Sequence, residues 1–172
     1  LQQTKTRQEQ PLLRKYLSDY ETVTITDATS NMGGSIFGFS RYFDSINAVE
    51  IVPLHCNILK NNIELFKIDN KVNIICDNYI EIYKFLKQDM IFFDPQWILN
   101  KDKLLNLTLN NIPIEHIFKE LIKIKAAKFL ALVVPYNYDF KKIFSITNKI
   151  NIHSFYSEDD KLSFNLVIIK II

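Results

Sequence analysis

Met90-Ile91-Phe92-Phe93-Asp94-Pro95-Gln96-Trp97 is the stretch on which the reading of this chain turns. An apolar run stops at an acid, a proline and the chain's one tryptophan. A short apolar run closed by a breaker reads as a buried strand. Pro95 has no N–H and a fixed φ, so the strand ladder ends there. The chain therefore leaves the sheet with a carboxylate and a flat ring at the strand's carboxyl edge, where open α/β sheets bind ligands. An acid, a proline carbonyl and an indole suit a planar base bearing an exocyclic amine. The plainer alternative is a strand end capped by a packed tryptophan.

Upstream, strands and helices alternate. Residues 1–10 read as a polar arm, and Pro11 to Tyr20 as a short helix with proline in its first turn. Thr22 to Thr26 is β-branched and reads as a strand. It runs into Asp27-Ala28-Thr29-Ser30-Asn31-Met32-Gly33-Gly34, and a helical pattern follows from Ser35 to Phe43. Ile46 to Ile51 is a second strand. Leu54, Ile58, Leu59, Ile63 and Phe66 mark a helix by their spacing. Val72 to Cys76 is a third strand, and Glu81 to Leu86 a short helix before Met90. Downstream, an irregular stretch to about residue 112 precedes a helix over Pro113–Ala126, a strand over Phe129–Val134 and a helix over Tyr138–Lys149. Asn151–Tyr156 and Leu162–Ile171 alternate as a hairpin around the acidic turn Ser157-Glu158-Asp159-Asp160. This alternation predicts an α/β fold with a doubly wound, mostly parallel seven-stranded sheet and a C-terminal antiparallel hairpin. Residues 1–21 are read as an arm and helix, and 22–172 as the main domain.

The bulk properties narrow the field. The chain has 172 residues, enough for one domain with a sizeable core, and 48% of them are hydrophobic, which argues against disorder. The net charge of +2 is too mild to argue for nucleic-acid binding by itself, so a polyanion site would be a local patch. Cys56 and Cys76 have neither metal nor redox spacing, and a reducing compartment is the simpler reading. His55, His116 and His153 share no ligand spacing, so no metal is expected. No apolar run approaches a membrane span and there is no signal-peptide pattern. The expectation is an intracellular protein of cytoplasm or nucleus, without membrane partners. Its abundance of Ile, Asn and Lys hints at an AT-rich coding sequence, compatible with a viral source.

Four strand ends carry polar or glycine-rich signatures. At the first, Asp27 and Gly33-Gly34 permit a tight turn and close ligand approach, and the helix start beyond favours an anion. Glu50, at the second, suits a ribose diol, or is an ordinary solvated acid. Asp77-Asn78, at the third, could meet an adenine edge, or form a plain Asx turn. Asp94-Pro95-Gln96-Trp97 is the fourth. The glycine loop lacks Lys-Ser/Thr and no serine sits in a Gly-x-Ser-x-Gly elbow, which disfavours a P-loop NTPase and that class of hydrolase. A dinucleotide oxidoreductase would not account for the fourth strand end.

In this order the motifs resemble a class I S-adenosylmethionine-dependent methyltransferase with a Rossmann-like fold. Asp27 to Gly34 is similar to that group's Asp-Ala-x-x-Gly-x-Gly-Gly loop. Asp94-Pro95-Gln96-Trp97, with Val133-Val134-Pro135-Tyr136-Asn137-Tyr138-Asp139 and Leu162-Ser163-Phe164-Asn165-Leu166, resembles the trimethylguanosine synthase family of RNA cap guanine-N2 methyltransferases. The resemblance runs from about residue 22 to the end. It departs at Asn31 (a glycine in the family), at Gln96 (a second proline), at Tyr136 (an arginine that meets cap phosphates) and at Asn78 (an acid). Asn tolerates left-handed backbone, so the loop can keep its turn.

The resemblance implies S-adenosylmethionine as donor and S-adenosylhomocysteine as product. It implies Asp27, Ala28, Asn31, Gly33, Glu50, Ile51, Asp77 and Asn78 as cofactor-binding residues. Asp94 and Pro95 are then catalytic, with Trp97, Gln96 and Asn137 on the substrate. The implied partner is capped RNA, and the chain is read as a monomer. Lys5, Arg7, Arg14, Lys15, Lys101 and Lys103 are candidate phosphate contacts, or merely solvated charges. Two other functions compete with N2 methylation of a 7-methylguanosine cap. One is methylation of a guanine or adenine amine within rRNA, tRNA or DNA. The other is a catalytically silent subunit that binds donor or RNA.

Overall fold

The computed structural model describes residues 6–97 and 106–172. The chain divides into two compact units, Leu1–Phe92 and Phe93–Ile172. In the first, helix α1 (Thr6–Lys15) begins earlier than the sequence pattern suggests and carries Pro11 inside it. Only one intrahelical N–H is forfeited there, and the guanidinium of Arg14 closes the helix end by donating to the carbonyls of Leu17 (2.6 Å) and Tyr20 (3.0 Å). Arg14 is thereby engaged with the chain itself through two of its five N–H donors. Lys5, Lys101 and Lys103 lie outside the described residues, as does the side chain of Arg7.

Strand β1 (Thr24–Asp27), helix α2 (Gly34–Phe39), β2 (Ser45–Val49), α3 (Pro53–Leu65), β3 (Val72–Ile75), α4 (Tyr79–Ile82) with a trailing 3-10 turn, and β4 (Met90–Phe93) follow in order. Pro53 opens α3, where its missing N–H costs nothing. Parallel pairing places Thr26 beside Asn47 and Ile91, and Asn47 beside Asn73. These polar residues satisfy one another: Asn73 donates to Asn47 (3.2 Å), Asn47 to the Thr26 hydroxyl (3.1 Å), and that hydroxyl to Gln88 (2.8 Å). At the opposite ends of the strands, Asp44 and Asp89 accept the N–H groups of Val23 and Thr24, both at 2.8 Å. Phe39 packs edge-on against Phe43 and Phe92, with ring centroids 5.7 and 5.1 Å apart. Helix α1 lies against α2, where a Cβ on Gly38 would come 2.7 Å from the carboxamide of buried Gln10.

Cys56 on α3 and Cys76 after β3 form a disulfide, with Cα atoms 5.8 Å apart. The sequence reading takes their lack of metal or redox spacing to mean a reducing compartment, and the structure pairs them instead. Their separation of 20 residues matches no local motif, and only the α3–β3 turn brings them together.

In the second unit a hairpin of β5 (Thr108–Leu109) and β6 (Ile112–Pro113) occupies part of the stretch read as irregular. Asn110 and Asn111 form its turn at φ of 50° and 62°, the left-handed pair that a tight hairpin needs. Helix α5 (Ile114–Lys123), β7 (Phe129–Pro135), α6 (Lys141–Phe144), β8 (Ile150–Tyr156) and β9 (Leu162–Lys170) complete it. The helix expected over Tyr138–Lys149 shrinks to α6. Ser145 turns its hydroxyl onto the Lys142 carbonyl and Thr147 accepts the Lys149 N–H, local bonds that compete with helix propagation. β9 pairs antiparallel with both β7 and β8. The seven strands run in the order β3-β2-β1-β4-β7-β9-β8, the mostly parallel α/β sheet with an antiparallel C-terminal hairpin that the sequence predicts.

Candidate functional site

The loop after β1 is held by short-range hydrogen bonds and by ties to the neighbouring strands. The Asp27 carboxylate accepts the Thr29 N–H at 3.0 Å, the Ser30 hydroxyl donates to the Asp27 carbonyl at 3.0 Å, and the Ser30 N–H reaches Val49 on β2. Ala28 donates to the Phe92 carbonyl at 2.9 Å, which ties the loop start to β4. Asn31 adopts φ 50°, the left-handed turn a glycine would supply. Gly33 sits at φ +92°, and a Cβ there would come 2.7 Å from Leu59 Cδ1. At Gly34 a Cβ would meet nothing within 4 Å, so open space faces the start of α2. That helix is only six residues long, so its dipole is a minor contributor.

Glu50, 7% exposed, does more than end β2. One carboxylate oxygen accepts the Asn31 N–H and the other the Val52 N–H, each at 2.7 Å, and His55 Nδ1 lies 3.7 Å from the second oxygen. Two charge-assisted bonds hold the buried charge and lock the loop to the strand end. A carboxylate has about four acceptor positions, so it can still receive a diol. Ile51 and Val52 beside it, and Met32 in the loop, are exposed apolar side chains.

Asp77 is exposed and accepts the Asn78 N–H at 2.7 Å. Asn78 caps α4: its oxygen accepts from Ile80 N (3.1 Å) and its amide donates to Glu81 (3.1 Å). Its side chain is therefore given to helix capping, which leaves Asp77 as the carboxylate at this strand end. Open space at Gly34, the acceptor positions of Glu50 and the carboxylate of Asp77 fit a nucleoside carrying an amino-acid tail. S-adenosylmethionine is such a molecule.

The second unit holds the other predicted residues. Asp94 and Gln96 are exposed, Pro95 is buried and Trp97 is half-buried. Phe93 packs on Phe118 of α5 at 5.1 Å between ring centroids. One turn earlier on α5, Glu115 is 4% exposed, and its Oε1 accepts the Tyr138 hydroxyl at 3.1 Å. This bond ties the first turn of α5 to the loop after β7, which carries exposed Tyr136 and half-buried Asn137. Burial, reinforced by the neighbouring Glu115, raises the Tyr138 phenol far above its ordinary range. Glu115 escaped the sequence reading because an acid in a helix's first turn looks like a simple dipole partner. Among the described residues no group of three or more His, Cys, Asp or Glu could hold a metal ion, and no helix is long and apolar enough to cross a membrane.

Several solved structures share the fold. A Streptococcus mutans protein described as a methyltransferase, solved with S-adenosylhomocysteine, superposes with a TM-score of 0.64 at 16% identity, covering 94% of this chain and 97% of that one. The human methyltransferase 10 domain containing protein gives 0.65 at 10% identity, covering 97% and 83%. A Porphyromonas gingivalis protein described as a methyltransferase gives 0.70 at 15% identity, covering 93% and 40%. In sequence, an uncharacterized protein of Acanthamoeba polyphaga mimivirus is 31% identical over 139 residues, covering 77% of this chain. The match spans 54% of that viral relative. The family model described as RNA cap guanine-N2 methyltransferase matches residues 22–157, from just before β1 through the end of β8, and so the chain, a class I methyltransferase in fold, belongs to the RNA cap guanine-N2 methyltransferase family.

Proposed function

We propose that this protein transfers a methyl group from S-adenosylmethionine to the exocyclic N2 of a 7-methylguanosine RNA cap. The observation that carries this reading is the chemistry at the end of β4. An exposed carboxylate, Asp94, is followed by a buried proline and a half-buried indole. In this reading Asp27, the Asn31–Gly34 turn, Glu50, Ile51 and Asp77 bind the donor, and Asp94, Pro95, Trp97, Gln96 and Asn137 bind the acceptor.

The donor supplies an electrophilic methyl carbon on a sulfonium sulfur. The protein's task lies with the amine, a poor nucleophile because its lone pair is delocalised into the purine. Asp94 and the Pro95 carbonyl each accept one N–H of the N2 amine. This turns the lone pair out of conjugation and stabilises the positive charge that grows on nitrogen. The proton released after transfer passes from nitrogen to Asp94, and Asp94 loses it to water because it is exposed. Holding amine and methyl carbon in line supplies most of the remaining acceleration. Trp97 stacks on the purine. A 7-methylated base is cationic, and the cation–π term adds about 0.5–2 kcal/mol.

Tyr136, exposed where the family carries a phosphate-binding arginine, favours a second reading, an amine methyltransferase for a guanine or adenine inside a longer RNA or DNA. Labelled donor with a 7-methylated cap dinucleotide, its unmethylated counterpart and adenine-containing oligonucleotides separates the two. Transfer preferring the 7-methylated cap supports the first reading, and transfer only to internal bases replaces it with the second. No transfer alongside intact S-adenosylhomocysteine binding identifies a silent subunit.

A further inference from the structure

Glu115 is the buried acid in the second unit to which methyl transfer assigns no work. Oε1 holds the Tyr138 hydroxyl, but Oε2 is shut off from solvent and has no hydrogen-bond partner among the described residues. Leaving a buried acceptor unmade is costly, and the oxygen of a carboxylate more so than most. An apolar residue of similar length would pack there without that cost. Glu115 also sits at a junction. Through Tyr138 it touches the loop bearing Asn137, and Phe118, on its own face of α5 one turn on, packs against Phe93 next to Asp94.

From this we infer that Glu115 is a specificity-determining residue whose Oε2 accepts the N1–H of the substrate purine, an inference that rests on the reading of a guanine-type acceptor. A guanine edge presents N1–H directly beside the N2 amine. With Asp94 and the Pro95 carbonyl on N2, the adjacent N1–H still needs an acceptor, and Glu115 Oε2 is a buried acceptor to which no described residue donates. Methylation at N7 withdraws electrons from the ring and strengthens N1–H as a donor. Because Oε2 is covered, a purine must displace what lies over it. A base whose N1 is a lone pair gains nothing for that displacement, and it places two acceptors face to face. A site built around such a buried acceptor rejects the wrong edge strongly.

The test uses Trp97, the single tryptophan of the chain, whose fluorescence reports base stacking. Wild type and Glu115→Gln are titrated with 7-methylguanosine diphosphate and 7-methyladenosine diphosphate. The two bases share cationic charge and stacking face, but adenine offers a lone pair at N1. Gln keeps an oxygen for Tyr138 and turns an amide N–H toward the ligand. The expected result is about tenfold to hundredfold weaker binding of the guanosine compound by Glu115→Gln, with adenosine binding unchanged or tighter. An equal loss for both ligands, or no change for either, overturns the inference and leaves the cap reading standing. Absence of quenching by either ligand in wild type removes the cap reading, and this inference with it. If Glu115→Gln does not fold, wild type decides alone. Binding of 1,7-dimethylguanosine diphosphate as tight as that of the 7-methyl compound overturns the assignment, and a loss of tenfold or more supports it.

Discussion

The Glu50 carboxylate accepts the backbone N–H of Asn31 at 2.7 Å across 19 residues of sequence. The acid at the end of β2 is thus a strut for the glycine loop as well as a candidate diol acceptor. Its other oxygen takes Val52 N–H, so Glu50→Gln keeps only one of the two bonds with an acceptor. The expected outcome is a loss of about 1–3 kcal/mol in folding stability and a weakening of S-adenosylhomocysteine binding of tenfold or more by calorimetry. Unchanged affinity in the variant would remove Glu50 from the donor site.

Gly33 and Gly34 are neighbours with opposite requirements. Gly33 needs its φ of +92° and has Leu59 Cδ1 where a Cβ would go. Gly33→Ala should lower stability by about 1–3 kcal/mol, as strained left-handed positions do. Gly34 opens α2 and faces empty space. Gly34→Ala should fold as well as wild type, gaining up to about 1 kcal/mol from helix propensity, yet bind S-adenosylhomocysteine more weakly because the methyl group occupies the approach. Thermal melts paired with calorimetry check both. Gly34→Ala with wild-type affinity would show that the open space is not used by the donor.

What the sequence disclosed follows from how local each cause is. The succession of seven strands along the chain rests on period and breakers, and Asp94-Pro95 marks the end of β4 without ambiguity. Asn31 in place of glycine was readable because the left-handed tolerance of Asn is intrinsic. The β5–β6 hairpin was not, because two-residue strands show no period and only the Asn110-Asn111 pair signals it. The hydrophobic pattern carries the helix beyond Tyr138 too far, because Ser145 and Thr147 bond locally in ways that pattern does not register. The Cys56–Cys76 bond and the Glu115–Tyr138 pair depend on contacts 20 and 23 residues apart, and no short window contains either partner's reason for being there. Asn78 carries two possible roles in sequence, and the fold assigns its side chain to the α4 cap.

The buried phenols make the fold sensitive to alkali. Burial raises Tyr138 and Tyr79 well above the ordinary value of 10.0. The unfolded chain therefore releases these protons first. Their contribution to stability is complete below about pH 10 and drains away as pH rises above it, by about 1.4 kcal/mol per pH unit for each phenol. Tyr138→Phe should reduce that slope by one proton's worth between about pH 10 and 12, measured by denaturant titration at each pH. It also leaves Glu115 Oε1 without its donor and should cost about 1–3 kcal/mol at neutral pH. An unaltered slope would mean that Tyr138 ionises normally in the folded state.

Asp94 offers the sharpest separation of binding from chemistry. It is exposed and follows β4, whose Phe92 is the register partner of Asp27, so its removal should leave the donor loop untouched. Asp94→Ala is expected to bind S-adenosylhomocysteine within about twofold of wild type while kcat falls by about 10²–10⁴, the range for a lost proton acceptor and charge stabiliser. Asp94→Asn keeps one neutral acceptor for the amine and should retain more activity than Asp94→Ala. Quenching of Trp97 by the cap analogue should persist in both, since stacking does not pass through the carboxylate. If Asp94→Ala turns over at the wild-type rate, the amine is held by something else, and the carboxylate at the end of β4 neither orients it nor takes its proton.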